Sequence, residues 1–250
     1  MIDTHAHINI SPLLEDIENV IMRAKQLGVK KIICIGINKK TNKLAIELAE
    51  TYESVYASVG IHPSEVDEEV SYLEYLSHKK VVAIGEIGID LYWRQDNLAL
   101  QKKRFIEQLK IAQRNDLPVI IHSRNSSDVI LPILKEYPIK GVMHCYSEHS
   151  NLLESYLSLG LYIGVGGIVT FKNAGDVLTI VDETPLDRML LETDSPYLAP
   201  MPYRGKVNEP KNTLFVLEKL AQLKQISKDT LNEITTNNAI TLFPKLNNSI

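Results

Sequence analysis

Six side chains able to bind a metal ion or move a proton fall at or just beyond the ends of short apolar runs: His5, His7, Glu86, His122, His144 and Asp194. His5 and His7 stand two apart in Asp3-Thr4-His5-Ala6-His7. In a strand, side chains alternate faces, so both imidazoles point the same way. Neutral imidazole is the commonest transition-metal ligand, so the pair forms half of a metal site. Four imidazoles and two carboxylates exceed what one tetrahedral ion needs. They suit two divalent ions about 3.5–4 Å apart that share a carboxylate. Glu86 is the candidate bridge, because a carboxylate has two oxygens. Asp194 is the candidate to bind one ion and take a proton from the attacking water. That chemistry is hydrolysis, most naturally of a phosphoester. Taken singly, each residue has a plainer role. His122, after Ile120-Ile121, and His144 could be hydrogen-bonded core histidines. Glu86 could form an ion pair, and Asp194, before Ser195-Pro196, could cap a turn. Six such residues at one rim favour the metal.

The elements that must position them alternate strand and helix. Strands are expected at 1–8, 31–36, 55–60, 81–86, 117–122, 141–144, 161–164 and 188–193. Helical spacing covers 13–27, 41–52, 64–77, 97–115, 127–137, 151–159 and 173–181, and then 213–223 and 228–242 in the tail. Gly28 is a good C-cap for the first helix, and Pro132 would bend or delay the fifth. Eight strands, each followed by helix, match an α/β fold of the (β/α)8 TIM-barrel type, read as one domain over residues 1–250. The strands are continuously apolar, as in a parallel sheet buried on both faces. An open doubly wound sheet would want a glycine-rich phosphate loop after an early strand, and Gly36-Ile37-Asn38 is not one. In a barrel all C-terminal strand ends meet on one rim, where active sites are built.

Cations arrive late, in Pro202-Tyr203-Arg204-Gly205-Lys206. Loops after the last strands of such barrels often hold phosphate. Arg204 offers a planar fork and Lys206 a point charge. Arg124, two residues past His122, is a third candidate contact. Tyr92, Trp93 and Tyr203 could stack on bases.

Bulk composition is that of an ordinary globular protein, 44% hydrophobic and 23% charged. A net charge of -4 and a pI near 6.0 do not advertise a nucleic-acid binder, which usually shows a basic stripe, so any polyanion contact must come from a few local cations. Cys34 and Cys145 make no disulfide framework and read as buried thiols in a reducing compartment. There is no signal-peptide pattern and no apolar run of membrane-spanning length, so the expected location is the cytoplasm. No obligate protein partner is indicated.

The motifs resemble those of the TatD family of metal-dependent deoxyribonucleases, within the amidohydrolase-like barrels. The matching pieces are Asp3-Thr4-His5-Ala6-His7, Gly60-Ile61-His62-Pro63, Gly85-Glu86-Ile87-Gly88-Ile89-Asp90, Ile121-His122-Ser123-Arg124, His144-Cys145-Tyr146-Ser147, Glu192-Thr193-Asp194-Ser195-Pro196-Tyr197-Leu198 and Arg204-Gly205-Lys206-Val207-Asn208-Glu209-Pro210. They occur in order across nearly the whole chain. The resemblance implies a two-metal site on His5, His7, Glu86, His122, His144 and Asp194, with His62 as a further active-site residue near the phosphate. It implies Mg²⁺, Mn²⁺ or Zn²⁺ as cofactors and DNA as substrate, digested from 3′ to 5′ on single strands. Some relatives are assigned other esters, including D-aminoacyl-tRNA. Three departures remove no ligand, and the second and third alter the pocket wall. Asn125 stands where many relatives carry an acid, Ser147-Glu148-His149 replaces a common Ser-Gly-Ser, and Leu91 replaces a usual aromatic. An amidohydrolase acting on a small amide is the alternative. Many of those bridge their metals with a modified lysine at the end of the fourth strand, where this chain has Glu86.

Overall fold

Runs such as Lys31-Ile32-Ile33-Cys34-Ile35 leave no polar face, and the chain buries both sides of them. In the computed structural model, which describes residues 1–247, eight strands lie parallel and in sequence order. They are β1 (Ile2–Ala6), β2 (Lys31–Ile35), β3 (Val55–Val59), β4 (Val81–Asp90), β5 (Val119–Arg124), β6 (Gly141–Met143), β7 (Tyr162–Val165) and β8 (Met189–Leu191). Asn248, Ser249 and Ile250, the end of the expected domain, lie outside the described residues. The edges β8 and β1 meet just past their ends. There the His7 N–H donates to Ser195 O at 2.7 Å and the Asp194 N–H to His5 O at 2.9 Å, beside a parallel bridge between Ala6 and Ser195. The expected TIM-type barrel is the observed fold.

Helices α1 (Ile17–Gln26), α2 (Lys39–Thr51), α3 (Leu98–Arg114), α4 (Ser127–Glu136), α5 (Leu153–Ser158), α6 (Asp176–Glu183), α7 (Thr213–Leu223) and α8 (Lys228–Leu242) follow the strands. Alternate strand residues divide between two apolar clusters. Ile32 and Cys34 join the cluster that takes in Val20, Phe105 and Leu217. Ile33 and Ile35 join Ile120, Val142 and Leu190 on the other face. That second cluster also holds Leu242, Phe243 and Leu246. The Lys31 ammonium donates to Leu246 O, and Lys245 Nζ donates to His78 O at 3.4 Å. The C-terminal segment thus packs at the N-terminal ends of the strands and leaves the opposite rim for the site.

One expected helix is absent. Residues 64–77 form two short 3-10 turns, Pro63–Glu65 and Leu73–Tyr75. Tertiary contacts take the residues a helix would need. Tyr72 is fully buried, its hydroxyl donating to Gln108 Oε1 at 3.1 Å. Glu68, in the acidic run Asp67-Glu68-Glu69, instead accepts the Lys39 N–H at 2.9 Å at the start of α2, where a carboxylate suits the exposed amides. β4 also runs four residues past Glu86 to Asp90. Gly88 allows this. A Cβ at Gly88 would lie 1.9 Å from His122 O, so only glycine lets β4 and β5 approach so closely.

Candidate metal centre

Glu86, in the middle of β4, organises the rim, with its two oxygens facing different histidine groups. Oε2 lies 3.5 Å from His5 Nε2 and 3.6 Å from His7 Nε2, and those two nitrogens are 3.2 Å apart. Asp194 Oδ1 completes this group at 3.7 and 3.5 Å from the same nitrogens. Oε1 lies 2.8 Å from His122 Nδ1, 3.7 Å from His62 Nε2 and 3.8 Å from His144 Nε2. His144 Nε2 is also 3.9 Å from Asp194 Oδ1. The four expected histidine ligands and His62 therefore converge on Glu86, and Asp194 joins the group through His5, His7 and His144.

Local backbone aims them. His5 and His7 share a face across Ala6, as alternation requires. Glu86 and Asp90 both reach His122, one on each ring nitrogen. Asp194 adopts φ 55°, an uncommon region for a residue with a side chain. Its N–H is tied to His5 O, and its own carbonyl accepts the Tyr197 N–H at 2.9 Å. This conformation turns the carboxylate back over the end of β1.

Sequence reading missed two supporting carboxylates, Glu192 and Asp90, although both lie inside recognised motifs. Glu192 Oε1 sits 3.0 Å from His144 Nδ1, without the alignment of a hydrogen bond, and accepts the Cys145 N–H at 2.7 Å. Asp90 Oδ2 lies 3.1 Å from His122 Nε2. Metal-binding histidines commonly rest their second ring nitrogen on a carboxylate. The usable signal was the presence of a second acid in each motif, on the same strand or strand end as an expected ligand.

Burial and charge set the protonation. Burial works to raise the Glu86 carboxyl, but the imidazoles of His62 and His5 and the His122 hydrogen bond outweigh it and hold it well below the usual range. Asp194 is likewise held low, against its burial, by His7, His144 and His5. Burial drives His62 down to about 3, leaving a neutral ring. Burial opposes charge at His122 and His144 as well, but Asp90 and Glu86 lift the first to about 9, and Glu192 lifts the second to about 10.

The donor set fits divalent metal. Metal–nitrogen bonds of about 2.1 Å place the ligands of a tetrahedral ion about 3.4 Å apart. The His5, His7, Glu86 and Asp194 atoms are separated by 3.2–3.7 Å wherever paired above. The groups His5–His7–Glu86 and His62–Glu86–His122 each bring three such atoms within 4.8 Å of one another.

A family model described as TatD related DNase matches residues 2–244. The chain belongs to the TatD family. TatD relatives include an uncharacterised metal-dependent hydrolase of Bacillus subtilis, YabD, 39% identical over 97% of this chain and 98% of its own length. The Escherichia coli TatD homologue YjjV has a solved structure that superposes with a TM-score of 0.90 at 35% identity, covering 98% of both chains. A TatD-family hydrolase from Entamoeba histolytica superposes with a TM-score of 0.87 at 25% identity, covering 97% of both chains. The protein is accordingly a metal-dependent hydrolase of the TatD family.

The expected phosphate contacts lie in different surroundings. Arg204 stacks over Phe171, 4.2 Å from its centroid, and donates to Asn173 Oδ1 at 3.3 Å in the segment after β7. Lys206 lies 5.9 Å from the Tyr203 ring, and Tyr203 packs edge-on against Phe215. Both cations are exposed. Arg124 ends β5 and stacks on Tyr92. Among the described residues no helix is long and apolar enough to cross a membrane.

Proposed function

We propose that this TatD-family hydrolase cleaves phosphodiester bonds of DNA, releasing nucleotides from the 3′ ends of single strands. The observation that carries the reading is the divided Glu86 carboxylate, one oxygen on His5 and His7 and the other on His122, His62 and His144. That division suits two divalent ions sharing one carboxylate, an arrangement used on phosphoesters. The family description as a DNase supports DNA as the substrate.

His5, His7, Glu86 and Asp194 would hold one ion, and Glu86, His122 and His144 the other. Bound there, divalent ions supply Lewis acidity and lower the pKa of water. The protein's own groups handle the proton. The Asp194 side chain is 14% exposed against 4% for Glu86, so Asp194 is the carboxylate that meets incoming water. Its carboxylate, held ionised, accepts the proton. His62, kept neutral and also on the open side of Glu86, donates a hydrogen bond to the substrate phosphate from Nε2. Arg204 and Lys206 supply further positive charge along the strand.

The test is release of nucleotides from 5′-labelled single-stranded DNA by chelator-stripped protein resupplied with Mg²⁺, Mn²⁺ or Zn²⁺. Metal-dependent shortening that a folded Glu86→Ala variant lacks is expected. Protein that has taken up two ions and leaves the strand intact would overturn the assignment to DNA.

A further inference from the structure

Two large aromatic rings stand in solvent beside the metal centre. Trp93 is 71% exposed and Tyr92 54%. Their rings meet edge-on, 4.9 Å apart. Beside them lies the Arg124 guanidinium, 3.9 Å from the Tyr92 centroid and 5.6 Å from that of Trp93. Arg124 forms no ion pair among the described residues, whereas nearby Arg94 is engaged by Asp67 and Asp96.

The turn that carries these rings is fixed from beneath. Asp90 Oδ1 accepts the Tyr92 N–H at 2.8 Å and the Trp93 N–H at 3.1 Å. Buried Gln101 accepts the Asp90 N–H at 2.9 Å and donates to Asp90 O at 3.1 Å and Arg94 O at 3.0 Å. The Leu91 N–H donates to Arg124 O at 2.9 Å. The other Asp90 oxygen lies 3.1 Å from His122 Nε2. One buried carboxylate therefore holds both the exposed aromatic turn and a histidine of the metal centre, fixing their separation.

We propose that Trp93, Tyr92 and Arg124 form a subsite for an unpaired nucleobase and its phosphate, in register with the cleaved bond. This rests on the nuclease reading above. Trp93 offers the open stacking face. Arg124, its carbon over Tyr92, keeps its N–H groups for a phosphate oxygen. Two rings and one cation are too small a patch for a stable protein interface, which buries about 800 Å² per partner. They match the pairing of aromatic platform and positive charge that binds single strands. Base stacking of this kind changes affinity by about five- to 150-fold per base.

Trp93 is the sole tryptophan of the chain, so its emission reports this subsite alone. Mn²⁺-loaded protein is titrated with a cleavage-resistant phosphorothioate oligothymidylate and with an abasic strand of the same length. Saturable quenching by the first and none by the second is expected. Trp93→Ala raises KM for single-stranded DNA by about five- to 150-fold with kcat and metal content unchanged, and Trp93→Tyr restores most of the loss. DNA cleavage without base-dependent quenching, or with an unaltered KM in Trp93→Ala, overturns the subsite and leaves the nuclease reading standing. Failure to bind or cleave either strand overturns both.

Discussion

Glu192 Oε1 lies 3.0 Å from His144 Nδ1, on the opposite edge of the ring from the nitrogen that faces Glu86 and Asp194. A buried negative charge there fixes the ring and makes it a stronger donor to metal. Glu192→Gln keeps the shape and removes the charge. Metal affinity is expected to fall about 10- to 100-fold. Gly164→Ala should act in the same direction, since its Cβ would lie 2.4 Å from Glu192 Oε2. Chelator competition measures both, and wild-type affinity in Glu192→Gln would contradict the role.

Proton release should accompany metal uptake. His122 and His144 titrate at about 9 and about 10 without metal, above the ordinary value of 6.5. Their charged forms therefore stabilise the metal-free fold. That contribution is complete below about pH 6.5 and is lost as pH rises through about 9 and about 10. Metal needs neutral rings, so binding at neutral pH expels protons and apparent affinity climbs with pH up to those values. Calorimetry in buffers of different ionisation heat counts the protons. A count of zero at neutral pH would refute the charged state.

Gly88→Ala tests the close approach of β4 and β5. The new methyl would collide with His122 O, and φ at Gly88 is +152°. Forcing the strands apart should cost more than about 3 kcal/mol. It should also displace Glu86 and Asp90 from His122. Urea unfolding reads the first effect and metal content the second; a variant as stable as wild type would show that the sheet relaxes there.

Arg204→Ala and Lys206→Ala should each weaken DNA binding and leave metal content intact, because neither cation touches the histidine group. The dependence of log affinity on log salt for a single strand should flatten by about 0.7 for each phosphate that the variant no longer neutralises. An unchanged slope would remove that residue from the strand's path.

The barrel was legible because its signals are local and periodic. Continuous apolar runs ending in His122, His144 and Glu86 announce both the strands and the rim. The segment 64–77 misled because apolar spacing cannot reveal that Glu68 serves α2 and that Tyr72 is buried against Gln108. The length of β4 was hidden for a related reason, since Gly88 reads as a breaker unless its neighbour strand is known. Glu192 and Asp90 were visible as residues but not as supports for His144 and His122, because each works across the sheet on a partner far away in sequence. The exposed cations of the late loop were legible as charge, while their contacts with Phe171, Asn173 and Tyr203 depend on packing that no spacing encodes.

The seam between β1 and β8 has a consequence for biosynthesis. Asp3 accepts hydrogen bonds from Thr193, 190 positions away, and His5 is tied to Asp194. A ribosome emits His5 and His7 about ten to forty seconds before Asp194 at ordinary elongation rates. Throughout that interval the two imidazoles lack the carboxylate that completes their group. A chain stalled before Asp194 leaves His5 and His7 without that carboxylate, so their group is completed only by the same pairing that closes the barrel.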